Sequence, residues 1–82
     1  MTTAAQFFEL VQFEAQRAEE IHGPAASMHE AYAILLEELD ELWDEVKKKH
    51  HDYPAMTEEL IQLAAMCWKA QEVINRRSTS FG

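Results

Sequence analysis

Gly23-Pro24 and Pro54 are almost the only places where this chain is punctuated, because its 82 residues hold just two glycines and two prolines. Three segments remain between these breaks, each rich in Ala, Leu, Glu, Gln and Lys and long enough for several helical turns. None shows the alternation of β-branched residues that marks a strand. The chain is therefore expected to be all-α. A first helix is expected from about Thr3 to Ile21, where Phe7, Val11, Ala15 and Ala18 recur at helical spacing and Phe8 and Leu10 widen the stripe. A second starts at Ser27, since Ser27-Met28-His29-Glu30 has the form of a capping box. It continues to Lys49, where three consecutive lysines suit the negative end of the helix dipole. A third runs from near Thr57 to Arg76 or Arg77. Residues 1–77 are read as one domain and 78–82 as a flexible tail.

One domain of 9.5 kDa buries only ~60% of its unfolded surface, so its own core is marginal. Disulfides, a metal or self-association usually make up the difference. The single cysteine, Cys67, excludes an internal disulfide, which leaves a carboxylate metal site, self-association, or both. The net charge of −8 repels the nucleic-acid backbone and anionic membrane surfaces alike. Phosphates remain accessible to so acidic a protein if divalent cations bridge the two. No apolar run approaches ~20 residues, and Met1-Thr2-Thr3-Ala4 lacks the layout of a signal peptide, so no membrane or nucleic-acid partner is expected and the location is read as cytoplasmic.

The third segment carries the sharpest packing constraint. Apolar residues from Leu60 to Ile74 surround almost its whole circumference, broken by a narrow stripe of Glu58, Gln62, Lys69, Glu72 and Arg76. A helix apolar nearly all round must be buried, and two companions from one chain cannot cover it. The fold class expected is thus an antiparallel helical bundle completed by self-association, as a homodimer or a dimer of dimers.

On the second helix Tyr32, Leu35, Leu36, Leu39, Leu42, Trp43 and Val46 gather on one side. Glu30, Glu37, Glu38, Glu41, Asp44 and Glu45 gather opposite. Glu37 and Glu41, and Glu38 and Glu41, are close neighbours that repel, and a divalent cation such as Mg²⁺ or Mn²⁺ among their oxygens relieves them. The plainer reading is a solvated acidic face, against which Ile34 projects awkwardly. Glu59 lies outside the polar stripe of the third helix, beside Leu63, Met66 and Ala70. There it titrates, finds a partner or binds metal, unless it merely complements the dipole from the first turn.

Glu37-Glu38-Leu39-Asp40-Glu41 on one helix, a short loop, then Glu59 on the next resembles the MazG-like all-α nucleotide pyrophosphohydrolases, whose signature is EExxE followed by ExxD. The resemblance spans roughly residues 27–76. It implies hydrolysis of a (deoxy)nucleoside triphosphate to the monophosphate and pyrophosphate, with Mg²⁺, or Mn²⁺, as cofactor. Glu37, Glu38 and Glu41 match EExxE, and Glu59 matches the Glu of ExxD. Gln62 stands where the family has Asp: its amide oxygen can coordinate Mg²⁺ but brings no charge, and it points toward the polar stripe. On this resemblance Glu37, Glu38, Glu41, Glu59 and Gln62 hold the metal, with Glu38 or Glu41 helping to deprotonate the attacking water. Lys48, Lys69 and Arg76 are the candidates for steadying the phosphates. Phe13, the aromatic least well placed for the core of its helix, is the candidate for the base slot. The rival is a catalytically degenerate nucleotide-binding or structural helical oligomer, reached through the Asp-to-Gln change.

Other signals are weaker. Glu19-Glu20-Ile21-His22 is a single Glu-x-x-His where a di-iron bundle needs two. His22 and His50-His51 suit helix ends, and Cys67 reads as a small buried hydrophobe.

Overall fold

The computed structural model describes residues 1–79, which form three helices and no strand. They are α1 (Ala4–His22), α2 (Met28–Val46) and α3 (Tyr53–Thr79). None of the described helices is long and apolar enough to cross a membrane.

Local chemistry explains each boundary. Thr3 caps α1 through a capping box with Gln6: its hydroxyl accepts from the Gln6 amide at 3.2 Å, and the Gln6 side chain accepts from the Thr3 amide at 3.0 Å. Gly23 ends α1 at φ 70°, a conformation open to glycine, with its N–H donating to the Glu19 carbonyl at 2.8 Å. Ser27 caps α2 as expected, its hydroxyl accepting from the Glu30 amide at 3.1 Å. α2 stops three residues before the expected end. Lys47 and Lys48 fold back onto Asp44 and Glu45 at 3.0 and 2.8 Å, and the His51 Nε2–H donates to the Val46 carbonyl at 2.8 Å.

α3 begins four residues earlier than the sequence suggests. Asp52 is the reason: its carboxylate accepts from the Ala55 amide at 3.1 Å and its carbonyl from Met56 at 3.0 Å, which makes it the cap. Pro54 then falls in the first turn, where a missing N–H costs nothing. The helix also runs to Thr79, so Ser78 and Thr79 are helical where a tail was expected; residues 80–82 of that stretch lie outside the described residues.

α3 is the hub. Both α1 and α2 pack on it, and among the described residues they do not pack on each other. α2 runs antiparallel to α3: Ala31 and Leu35 near its start meet Ala70 and Val73, while its later turns face Glu59. The contacts rely on small side chains, with Ala15, Ala18, Ala25, Ala31, Ala65 and Ala70 buried and Val73 the one larger apolar residue among them. Alanines let helix axes approach closely but contribute little area, so the core is thin.

Two stripes lie differently from the sequence expectation. Lys69, from the polar stripe of α3, is buried, and Gln62 and Glu72 are half-buried, whereas Leu60, Cys67, Trp68 and Ile74 are exposed. The stretch of the polar stripe from Gln62 to Glu72 therefore faces the other helices, Glu58 remains exposed, and Cys67 is not buried. On α2, Glu38 and Glu45 are half-buried while Tyr32, Leu36, Leu39 and Trp43 are exposed. α2 sits on α3 along the border between its apolar and acidic faces, not along its most apolar side.

Candidate metal centre

Glu38 and Glu41 lie one turn apart on α2, on the border that meets α3. Glu59 lies nearly two turns into α3, beyond the first-turn position that would have assigned it to the helix dipole. Antiparallel packing brings the three together, with one carboxylate oxygen from each lying within 4.8 Å of the others. Oxygens bound to a common Mg²⁺ stand about 3.0 Å apart when adjacent and about 4.2 Å when opposite, so the three carboxylates are near enough to share one divalent cation after side-chain adjustment.

The electrostatics of the cluster are unfavourable to bare carboxylates. Glu38 Oε2, Glu59 Oε2 and Glu45 Oε1 are buried without a hydrogen-bond donor. Burial pushes the Glu38 carboxyl up to about 7, with further contributions from the charges of Glu41, Glu59 and Glu37 and a hydrogen bond with Glu41. The Glu59 carboxyl is also raised, first by burial, then by Glu41 and by the charges of Glu45 and Glu58. Each of these causes disfavours negative charge, and a bound cation reverses them all. The donor set, hard oxygens from two rigid helices, fits Mg²⁺ or Mn²⁺.

A groove of about 440 Å³ opens beside the cluster, lined by all three helices. Glu37 and Glu38 border it from α2, Gln62 and Lys69 from α3, and Arg17 from α1. Of the polar stripe of α3, Gln62 and Lys69 thus line the groove that Glu38 also borders. The geometry convergence does not include Glu37 among the closest three carboxylates, but places it on the groove wall.

The basic candidates divide. Lys69 is buried, donates to the Gly23 carbonyl at 2.9 Å and lies 4.0 Å from Glu19. Arg76 donates to the Ala25 carbonyl at 2.6 Å. Both hold the α1–α2 connection against α3, and of the two only Lys69 borders the groove. Lys48 pairs with Glu45 at the exposed end of α2. Phe13 is 65% exposed and lines a separate shallow depression with Gln6, Glu9 and Leu10, so one chain does not bring it to the carboxylates.

Two residues of this region were not singled out from sequence. Arg17, bonded to Glu14 at 2.8 Å, is the one Lys or Arg of α1, and that isolation was the available signal. Glu45, one turn beyond Glu41, was assigned to the open acidic face, and only the seating of α2 reveals it as half-buried. No family model matches the chain, and no curated protein or solved structure matches it.

Proposed function

We propose that the chain is a Mg²⁺-dependent nucleotide pyrophosphohydrolase of the MazG-like class, acting as a homo-oligomer that converts (d)NTPs to (d)NMPs and pyrophosphate. The observation that carries this reading is the convergence of Glu38, Glu41 and Glu59 from two helices, with one oxygen each of Glu38 and Glu59 buried and lacking a donor. A solvated acidic face has no reason to turn two half-buried carboxylates toward a neighbouring helix.

When bound, Mg²⁺ supplies neutralisation of the triphosphate and of the pyrophosphate that leaves. Glu41 and Glu59 hold it, with the Gln62 amide oxygen as a neutral neighbour. Glu38, the third carboxylate of the cluster, would take the proton from water once a bound cation offsets its burial and the charges of Glu41 and Glu59. Lys69 uses one of its three donors on Gly23 and has others to offer a phosphate oxygen; Arg17 on the facing wall adds a second cation.

Pyrophosphate release from a panel of standard and modified (d)NTPs tests the reading, with Mg²⁺ or Mn²⁺ against EDTA and Glu41→Ala alongside. Metal-dependent release that the substitution abolishes is expected. Absence of release from every triphosphate at high protein concentration refutes it. Gln62 favours one second reading, a nucleotide-binding or structural helical oligomer that retains the cluster but not turnover. Metal-dependent nucleotide binding without pyrophosphate release identifies the binder; absence of both leaves the structural oligomer.

A further inference from the structure

Beyond Met28 at its first position, 38% exposed, α2 leaves four large side chains in the open: Tyr32, Leu36, Leu39 and Trp43, at 63%, 45%, 50% and 58% exposure. Their spacings are four, three and four residues. This is the alternating a/d spacing by which one helix lines a seam against another, and at 100° per residue it keeps all four within an arc of about 60° on α2. The stripe lies roughly a third of a turn around α2 from the side seated on α3, at 100° per residue. It is therefore accessible while α2 keeps both α3 and the carboxylate cluster.

We infer that this seam pairs with the same seam of a second copy, antiparallel, about a two-fold axis passing between Leu36 and Leu39. The seam is a palindrome in both spacing and chemistry: aromatic, leucine, leucine, aromatic. A perpendicular two-fold maps it onto itself, setting Tyr32 against the partner's Trp43 and Leu36 against the partner's Leu39, the self-complementarity a closed dimer requires. Antiparallel pairing also opposes the two helix dipoles and separates the lysine triplets at residues 47–49, which a parallel pair brings together.

The surface area points to the same occupant. The chain exposes 6156 Å², against about 5,000 Å² for a folded monomer of its mass. The excess of roughly 1,000 Å² is comparable with the ~800 Å² per partner of a standard stable interface. The shape agrees, with a radius of gyration of 14.1 Å and extents of 49 × 26 × 20 Å, where a compact chain of this length has about 12 Å.

This interface rests on the self-association reading and not on catalysis, and two experiments on the full chain separate the possible failures. In sedimentation, the wild-type protein is expected at twice 9.5 kDa or a multiple of it. Leu36→Glu is expected to raise the dissociation constant by about 100-fold or more, because it buries an unpaired charge, while circular dichroism shows the helices retained. A monomeric wild type overturns self-association and the interface with it; an undiminished oligomer of folded Leu36→Glu overturns the interface alone. The second experiment does not depend on that variant folding. In a Cys67→Ser background, chains carrying Leu36→Cys and chains carrying Leu39→Cys are mixed and oxidised. Disulfides joining the two kinds of chain are expected; disulfides only between like chains, or none, refute the antiparallel seam.

Discussion

Replacing Glu38 by glutamine removes a charge and almost no volume, so it isolates what that charge costs. The native carboxyl sits near 7 instead of at its ordinary 4.5. At 1.36 kcal/mol per pKa unit that corresponds to about 3 kcal/mol at most, and partial solvent access to the groove reduces it to about 1–2 kcal/mol. The native state binds more protons than the unfolded state between 4.5 and 7. Stability from this group is therefore complete below about 4.5 and is lost as pH rises through 7. Glu38→Gln imitates the protonated form at every pH. In EDTA at pH 8 it should stabilise the protein by about 1–2 kcal/mol, or raise Tm by roughly 5–10 °C for a domain of this size. At pH 4.5, where the wild-type carboxyl is already neutral, the gain should shrink to a few tenths of a kcal/mol. Thermal melts followed by circular dichroism measure both values, at one fixed protein concentration because the proposed self-association would make Tm depend on it. A loss of stability at pH 8, or an equal effect at both pH values, refutes the reasoning: Glu38 would then be a paired or solvated carboxylate and not one strained by burial and by Glu41 and Glu59.

Adding Mg²⁺ or Mn²⁺ at pH 8 should raise the wild-type Tm, by the equivalent of about 2.7 kcal/mol when the ion reaches 100 times its Kd, and Glu59→Gln should remove most of that shift; an unchanged shift in the variant places the ion elsewhere. Gln62→Asp supplies a further carboxylate to the groove and should tighten Mg²⁺ binding by roughly tenfold, about 1.4 kcal/mol, read by titration calorimetry; weaker binding means that Gln62 does not reach the ion. Lys69→Met keeps the buried stem but leaves the Gly23 carbonyl without its 2.9 Å donor, which should cost about 1–3 kcal/mol in urea unfolding. An effect within a few tenths of a kcal/mol means that water replaces the ammonium and that Lys69 does not clamp the loop.

The helices themselves were legible in the sequence, because period and caps are local. Ser27 caps α2 as its neighbours suggest, and the apolar stripe of α1 led directly to Ala15 and Ala18 at the α3 contact. Pro54 misled because proline interrupts a helix interior but fits its first turn, and only Asp52 as the cap distinguishes the two cases. Glu38, Glu41 and Glu59 were legible as acids with an unusual context, yet their meeting depends on the register of α2 against α3, which no periodicity carries. The largest inversion concerns α3. Its polar stripe was too narrow to be a solvent face, and a few polar residues on an otherwise apolar helix equally describe the lining of a groove. Lys69, buried against Gly23, shows that the second description applies.

The seating of α2 connects the two proposals physically. Rotating α2 by about a third of a turn would bury Leu36, Leu39 and Trp43 against α3 and release Glu38 and Glu45 to water. For an isolated, metal-free chain that rotation would exchange the contacts of Ala31 and Leu35 with Ala70 and Val73 for burial of larger apolar groups, worth about 25 cal/mol per Å². It would also relieve Glu38, which is costly to bury as a carboxylate without a donor. The observed seating becomes favourable when a cation occupies the carboxylate side and a second copy covers the apolar side. On these proposals, ion and partner stabilise the same rotation of the same helix. Mg²⁺ should therefore tighten self-association, and the Leu36→Glu monomer should bind Mg²⁺ more weakly than the wild type, by the same factor in both directions. Calorimetric titration of the wild type and of that variant measures the coupling. Equal Mg²⁺ affinities in the two proteins would mean that α2 keeps its rotation without a partner, and the linkage would fail even if both sites exist.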